Sequence, residues 1–529
     1  MEVINGGPPR TAPTLSYRLI AALDARLNRL FTQRWNPLYQ SGAIALAMLV
    51  VLLVTGLYLL IFYRIGSPWE SVARIDAQWG AGRWIRALHR FASDAVLVAA
   101  AIHAFRMYAQ RRTWGPRALA WLSGVALVLG ILVSGWTGFV LVWDTHAQVL
   151  AVEGARLLDA LPIFSEPISR SFTGEQPLPS AFFFLNLFAH IALPTGLGIV
   201  LWVHVARVAR PVLLPERHVL RATVAGLIAL SVLWPVALAP KADLLRIPAD
   251  VPLDRFFGGW ISLTQYLPAW AGWLGWIAVV AAIASIAWLT RPAVRILPAK
   301  AVVNPRTCTG CEQCVHDCPY EAIEMVPRDD GRSGLVALVK PDLCTACGVC
   351  VGSCPPMAIG PFGETARDQL ARVRAFVAEQ KPDASSVVII GCTWGAARQA
   401  AERQGLKYID VACVGSLHTS TVEILLRSGV GGVLVAGCPT HDGRTREGVA
   451  WARERLFEGR RPELKERVNR SRLRLIEGAR GETAALQDAA RELETEIRAL
   501  DAAAAAKAGA TVDLVSLVRR PDAMRLEEA

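Results

Sequence analysis

At 529 residues the chain is too long for one ordinary domain, and its 53% hydrophobic content and mean hydropathy of +0.34 place it among membrane proteins. The net charge of +11 does not make it a nucleic-acid binder, because the arginines sit in short segments flanking apolar runs and no basic helix face or aromatic–basic strand pattern accompanies them. All eleven cysteines lie at or after Cys308, which excludes a disulfide or a cysteine-linked haem in the apolar half.

The first 40 residues scatter Arg and Pro rather than building one apolar core before a cleavage site, so no signal peptide is expected. Residues 15–36 mix apolar positions with Arg18, Arg26, Arg29 and Arg34, the pattern of an amphipathic helix on a membrane surface. A first span is predicted over 41–63, carrying Gly42 and Gly56. The second, about 85–110, carries His89 and His103. The third, about 118–143, carries Gly124 and Gly138. Residues 144–180 contain four prolines and are too polar to cross. A fourth span over 181–209 holds His190 and His204, and two more follow at about 222–238 and 270–290, six in all.

Arginine asymmetry orients these spans. The loop after the second (Arg106, Arg111, Arg112, Arg117) carries no acid and the loop after the fourth (Arg207, Arg210, Arg217, Arg221) only Glu216, whereas 144–180 has five acidic residues against two arginines. Even-numbered spans therefore end in the cytoplasm and both termini are cytoplasmic, in the inner membrane of a bacterium or archaeon. The loop 64–86, with four arginines against two acids, runs against that rule.

Each histidine pair is separated by fourteen residues, about 3.9 helical turns and roughly 21 Å of rise, so both imidazoles leave nearly one face at two depths of the bilayer. Imidazoles inside an apolar helix call for a partner or a ligand. The second and fourth spans run parallel, so first pairs with first: His89 with His190 towards the outer face, His103 with His204 towards the inner. Each pair could clamp one flat metal macrocycle. Gly42/Gly56 and Gly124/Gly138 repeat the interval of fourteen and allow close approach. Arg86 and Arg106 would neutralise the carboxylates of such a group.

These residues carry a resemblance. Residues 15–209 look like the N-terminal four-helix part of cytochrome b from quinol-oxidising bc-type complexes, on Gly42/Gly56, the run RALH…HAFR (86–106), Gly124/Gly138 with GFVLVWD (138–144), and His190/His204. The resemblance implies two b-type haems conducting electrons across the membrane, quinone as substrate, and a homodimer. The family's Pro-Glu-Trp-Tyr motif is missing; the equivalent region is 252–260, and Val142 stands where the family has a proline. Asp254 and Asp144 are the carboxylates that could accept a proton there, and both are read as solvated loop residues.

After the sixth span come CTGCEQCVHDCP (Cys308, Cys311, Cys314, Cys318) and CTACGVCVGSCP (Cys344, Cys347, Cys350, Cys354). This C-x2-C-x2-C-x3-C-P run, twice, is that of a bacterial-type two-cluster ferredoxin, in which the fourth cysteine of each run serves the other cluster. Cys308, Cys311, Cys314 and Cys354 would hold one [4Fe–4S] cluster, and Cys344, Cys347, Cys350 and Cys318 the second. A zinc reading fits the eight-cysteine pattern poorly. Such clusters suit a reducing compartment.

Over 385–445, SSVVIIGC and GGVLVAGC read as short strands with helical stretches (394–404, 419–428) between them, a β–α–β pattern of a small parallel sheet. Cys392, Cys413 and Cys438 fall at or just beyond strand ends, where such sheets place their sites. The arrangement resembles the delta subunit of methyl-viologen-reducing hydrogenase, an iron–sulfur adaptor to a heterodisulfide-reductase-like flavoprotein. That implies a [2Fe–2S] site, but Gly395 replaces the second cysteine of the first C-x2-C and another is missing near Gly443. Three cysteines remain where four ligands are needed. His441 or Asp442 could complete the set; the preferred reading is a domain that kept its fold and lost its cluster.

The whole is read as an all-α transmembrane bundle followed by a ferredoxin-like α+β two-cluster domain and a small α/β domain. The boundaries are 1–40, a surface segment; 41–218, the haem domain; 219–295, two further helices; 296–365, the clusters; 366–463, the α/β domain; and 464–529, a charged helical extension. Functionally it reads as an electron-transfer subunit of a quinone-linked oxidoreductase complex, serving a cytoplasmic flavoprotein or iron–sulfur partner. A self-sufficient bc-type quinol oxidiser and a membrane anchor or redox sensor are the alternatives.

Overall fold

Where the chain runs apolar for about twenty residues it is helical, since a backbone without water must satisfy its own N–H and C=O groups. The computed structural model describes residues 14–163, 166–172, 178–206, 211–246, 251, 254–261, 265–291, 299–392, 395–439, 441–443, 445, 447–478 and 482–518, with 505–518 by backbone alone. It divides into two compact units, one spanning Leu30–Val294 and one spanning Arg295–Ala529 together with Ala21–Arg29 of the first helix.

The chain up to residue 291 is built, among the described residues, from helices joined by loops, with one isolated bridge between Asp144 and Lys241. Helix α1 (Leu15–Trp35) is capped by Thr14, whose hydroxyl accepts the Tyr17 N–H. It is followed by α2 (Ser41–Phe62), α3 (Pro68–Ala77), α4 (Gly82–Ala109), α5 (Ala118–Val140), α6 (Thr145–Leu158), α7 (Ser180–Ala206), α8 (Arg217–Leu233) and α9 (Ala269–Leu289). Four helical stretches are long and apolar enough to cross a membrane: Pro37–Phe62, Gly115–Val140, Ser180–Ala206 and Ala269–Leu289. The other two expected spans differ for physical reasons. Helix α4 has the length but carries Arg86, Arg90, Asp94 and Arg106. Helix α8 has 17 residues and stops at Leu233 rather than near 238, because Trp234 precedes a proline and is held out of the helical region.

Helix α2 packs along α4, and α5 along α7; α8 lies against α4 and α9 against α5. Ala47, Met48 and Val96 form a buried core on which Leu220, Val224 and Leu227 of α8 pack. Leu53, Val54 and Leu57 of α2, Phe184 and Phe188 of α7, and Trp270 and Ile277 of α9 face outward, an apolar surface suited to lipid. At one end, α3, α6 and the 235–246 segment close over the bundle through Lys241–Glu70 (2.6 Å) and through Trp143, whose ring lies 5.2 Å from that of Phe183.

The second unit begins with two small antiparallel sheets. Strand β1 (Ala301–Val303) pairs with β4 (Ile359–Pro361), and β2 (Ile323–Pro327) with β3 (Leu335–Val339). Two short helices, α10 (Gln313–Asp317) and α11 (Val349–Gly352), follow the cysteine loops.

Helix α12 (Ala366–Gln380) starts at a capping box, Thr365 with Asp368, and leads into the α/β domain. Its elements are β5 (Val387–Cys392), α13 (Ala397–Gln404), β6 (Lys407–Val411), α14 (Thr419–Arg427), β7 (Gly432–Gly437), α15 (Gly448–Phe457), β8 (Leu473–Glu477) and α16 (Thr483–Val518). The sheet is fully parallel, in the order β6-β5-β7-β8. Both faces are covered, as a parallel sheet requires. Val388, Ile390, Val433 and Val435 pack against Val373, Val422, Leu425 and Leu456; Val387, Ile389 and Leu434 pack against Ala400, Leu486, Ala490 and Leu493. The segment expected to be a separate helical extension therefore supplies the fourth strand and a covering helix. Its strand sequence, LRLIE, hides among arginines and glutamates.

Candidate cofactor sites

In the first unit the structure brings the four histidines together in two pairs. The rings of His89 and His190 have centroids 6.3 Å apart, and those of His103 and His204 are 6.4 Å apart. Two imidazoles bound through nitrogen to opposite sides of one metal ion, each at roughly 2 Å, leave their ring centroids about 6 Å apart. The spacing thus fits a bis-histidine iron at each level of the bundle. Among the described residues α4 and α7 are not packed on each other along their lengths, unlike α2 with α4 or α5 with α7. The histidines face each other across that gap.

Each glycine of the fourteen-residue series backs one ring. A Cβ at Gly42 would stand 2.9 Å from His103 Cε1, at Gly56 3.3 Å from His89 Cε1, at Gly124 3.2 Å from His204 Cε1, and at Gly138 2.9 Å from His190 Cε1. The glycines therefore make room for the histidine rings themselves. Because Gly42 meets the second histidine of α4 and Gly56 the first, α2 and α4 run antiparallel, as do α5 and α7.

The residue before each glycine is Ser or Thr, a pattern that spacing alone does not reveal. Thr55 Oγ1 lies 2.8 Å from His89 Nδ1, Ser123 Oγ 3.2 Å from His204 Nδ1, and Thr137 Oγ1 3.2 Å from His190 Nδ1. The Ser134 carbonyl, which can only accept, stands 2.9 Å from His190 Nδ1. Thr55 already donates to the Val51 carbonyl at 2.7 Å. These contacts place the proton on Nδ1 and leave the Nε2 lone pair for a metal, the usual outer partnership of a ligand histidine.

Arg106 is 2% exposed and its guanidinium lies 5.0 Å from the centre of the Tyr39 ring. Arg86 is held by Asp76 at 2.7 Å and by the Val236 carbonyl. The two carboxylates read as solvated loop residues are neither solvated nor idle. Asp144 is the N-cap of α6, 6% exposed, with Oδ1 accepting the Ala147 N–H at 3.0 Å. Asp254 takes the Phe256 N–H at 2.9 Å and the Phe257 N–H at 2.6 Å, and it pairs with Arg90, which also holds Asp94. Phe257 is fully buried beside Gly135, and Arg90 stacks 4.8 Å from the Phe139 ring. Pro252 and Leu253 of the same stretch lie outside the described residues.

In the second unit Cys308, Cys311, Cys314 and Cys354 line one cavity, floored by Val303, Met325, Ala337 and Ile359. Cys344, Cys347, Cys350 and Cys318 form a second group of neighbours. Among the described residues no three His, Cys, Asp or Glu side chains converge as a single-ion site would need. The two loops repeat one backbone course: Gly310 and Ala346 two residues after the first cysteine, and Glu312 and Gly348 one residue after the second, all have positive φ. Successive amides turned this way form a concave nest for an anion. Ala346 and Glu312 hold that conformation against side-chain sterics, as occurs at functional loops. Amides from Ala322 and Ala358 point at the Cys318 and Cys354 sulfurs at 3.3 and 3.1 Å. Burial pushes the Cys314 thiol up to about 12, with the Cys354, Cys311 and Cys308 thiols adding to it, and burial also takes Cys347 to about 12. Four crowded thiols of this kind become thiolates only when a metal supplies positive charge. Both sets suit an iron–sulfur cluster.

In the α/β domain Cys392, Cys413 and Cys438 lie at the carboxyl ends of the adjacent strands β5, β6 and β7, and all are buried. Cys413 Sγ lies 2.9 Å from Thr445 Oγ1 and receives the Gly415 N–H at 3.4 Å; Cys392 meets the Ala412 carbonyl at 3.5 Å. Asp442 is 4% exposed in the same end of the domain, beside the half-buried His441.

Comparison with known families gives three matches in the order read from the motifs. Residues 27–211 match the family described as cytochrome b/b6/petB, residues 307–358 the 4Fe-4S dicluster domain, and residues 387–501 the methyl-viologen-reducing hydrogenase, delta subunit. The chain is similar to the menaquinol:cytochrome c reductase cytochrome b subunit of Geobacillus thermodenitrificans, 26% identical over 166 residues, which is 30% of this chain and 74% of that one. It is likewise 26% identical to the subunit of that description from Bacillus subtilis (strain 168) over 153 residues, 28% of this chain and 68% of the other. A solved structure titled hyperthermophilic respiratory Complex III aligns with 49% of this chain and 78% of its own at 15% identity, with a TM-score of 0.39, too low to bear on fold or function. The matched segments make the chain a membrane redox protein that transfers electrons, with haem b implied by the first and iron–sulfur clusters by the second.

Proposed function

We propose that the chain is a six-span electron-transfer subunit joining the quinone pool to a cytoplasmic redox partner. His89 with His190, and His103 with His204, would each hold one b haem, with Arg86 and Arg106 towards the haem carboxylates. The eight cysteines of the second unit, in a ferredoxin-like fold, would hold two [4Fe–4S] clusters in the sets given above. A haem iron or a cluster supplies a one-electron carrier when bound, and the protein supplies ligands, burial and hydrogen bonds that tune it. The α/β domain then serves as the docking surface for a flavoprotein or iron–sulfur subunit.

The observation that carries this reading is the coexistence in one chain of two facing histidine pairs and two four-cysteine sets. A recruiting anchor would have no use for two facing histidine pairs and eight clustered cysteines. The relatives described as menaquinol:cytochrome c reductase subunits favour a second reading, quinol oxidation of bc type. That likeness covers about a third of the chain, however, and the two carboxylates available for outer-face proton transfer are engaged by Arg90 and by the α6 amides.

Cofactor analysis tests the reading. The purified protein should contain about ten iron atoms and about eight acid-labile sulfides per chain, with b-type haem accounting for two of the irons. Absence of b haem or of labile sulfide would reject it.

A further inference from the structure

Between the cysteine loops and the α/β domain lies a buried charge cluster that neither set of ligands uses. Asp317 is fully buried and directly precedes Cys318; Ser353 is fully buried and directly precedes Cys354. These are the corresponding positions of the two runs, and they are bonded to each other, with Ser353 Oγ donating to Asp317 Oδ2 at 2.6 Å. Arg455, from α15 of the α/β domain, reaches into this point with its side chain 1% exposed, 3.7 Å from Asp317 Oδ2. It donates to Ser353 Oγ at 3.3 Å and to the Gly415 carbonyl at 3.0 Å. A Cβ on Gly352 would stand 2.1 Å from Arg455 Nη1, so the guanidinium lies directly on the backbone linking Cys350 to Cys354. Arg460 also pairs with Asp317, and Glu454, on the surface, holds Arg460 at 3.0 Å.

Full burial of a guanidinium is unfavourable unless its charge has a use or a counter-charge. Burial pulls Arg455 down to about 10, so it is still a cation at neutral pH. It sits where the fourth cysteine of each run crosses to the other set. Each cluster gains one electron on reduction, and its total charge falls by one with no bond made or broken. A fixed cation at the crossover favours that reduced state, and a fixed carboxylate opposes it, in a low-dielectric setting where both act strongly.

We propose that Arg455 and Asp317 are the charge pair through which the α/β domain sets the reduction potential of the iron–sulfur clusters. Arg455 raises the potential and Asp317 lowers it. Neither is a ligand; both act through the ligand loops. This inference rests on the reading that the eight cysteines hold two [4Fe–4S] clusters.

The test is an anaerobic redox titration of the full chain in detergent, with dithionite as reductant and the reduced-cluster electron paramagnetic resonance signal as readout. The variants are Arg455→Met, Arg455→Lys and Asp317→Asn. Arg455→Met should lower the midpoint of at least one cluster by a tenfold change in the oxidised-to-reduced ratio, about 59 mV for one electron. Arg455→Lys should stay near the parent, and Asp317→Asn should move the midpoint upward. If Arg455→Met fails to assemble, the upward shift in Asp317→Asn decides the matter. Shifts below twofold with full cluster content, or shifts of the same sign in Arg455→Met and Asp317→Asn, overturn the proposal. A parent protein without any cluster signal overturns both the proposal and the reading beneath it.

Discussion

Gly42 and His103 are in contact such that residue 42 has no room for a side chain: a Cβ there would lie 2.9 Å from both Cε1 and Nδ1 of the ring. Gly138 stands in the same relation to His190, whereas Gly124 and Gly56 leave 3.2 and 3.3 Å to His204 and His89. The tighter pair must displace a ring if substituted; the looser pair needs only a small adjustment. Gly42→Ala and Gly138→Ala are therefore expected to lose most of one haem each, and Gly124→Ala and Gly56→Ala to keep theirs. The pyridine haemochrome yield per chain and low-temperature α-band spectra would separate the cases.

Pairing across α4 and α7 can be tested by spectral identity. His89→Leu and His190→Leu should remove the same haem component, and His103→Leu and His204→Leu the other. Loss of one shared component by His89→Leu and His103→Leu would mean that the pairing is wrong.

Thr55 fixes the His89 tautomer by accepting its Nδ1 proton at 2.8 Å. Thr55→Val keeps the shape and deletes the acceptor, and loss of such an outer partner typically weakens metal affinity by roughly 10–100-fold. Thr55→Ser should restore binding. Haem retention during dialysis against apomyoglobin measures the difference.

The spacing of fourteen was legible because a helix converts sequence interval into face and depth, so His89, His103, His190, His204 and the four glycines announce themselves. Thr55, Ser123 and Thr137 did not, since a hydroxyl residue in an apolar helix more often bonds its own backbone, and these do both. The cysteine runs were equally plain in sequence, but the left-handed turns at Glu312 and Ala346 were not, because neither residue favours that conformation. Strand β8 was masked by its charges: Arg474 pairs with Glu492 and Glu496 on α16, so residues that read as a solvated helix surface are the edge of a sheet. Asp144 and Asp254 misled for a related reason, since a loop carboxylate shows in sequence but the amides it caps do not.

His418 gives a pH dependence. It is 3% exposed, its Nδ1 accepts the Ser420 N–H at the start of α14, and burial pulls it down to about 4 from its ordinary 6.5. A folded-state value below the unfolded one means stability that is full above pH 6.5 and is lost as pH falls through 6.5 towards 4. His418→Asn keeps a good N-cap without the titration. Its thermal transition, followed by loss of cluster absorbance, should fall less between pH 7 and pH 5 than that of the parent; equal falls would show that His418 does not contribute.

If haems and clusters form one electron path within a single chain, electrons pass between them without a second molecule. Flash reduction of the clusters by a low-potential photosensitiser, with the haem α-band recorded in the same sample, tests it most directly. Electrons should leave the clusters and appear on the b haems with a first-order rate independent of protein concentration, and His204→Ala should abolish that phase. Haems that stay oxidised while the clusters remain reduced, or a rate that scales with protein concentration, would contradict it.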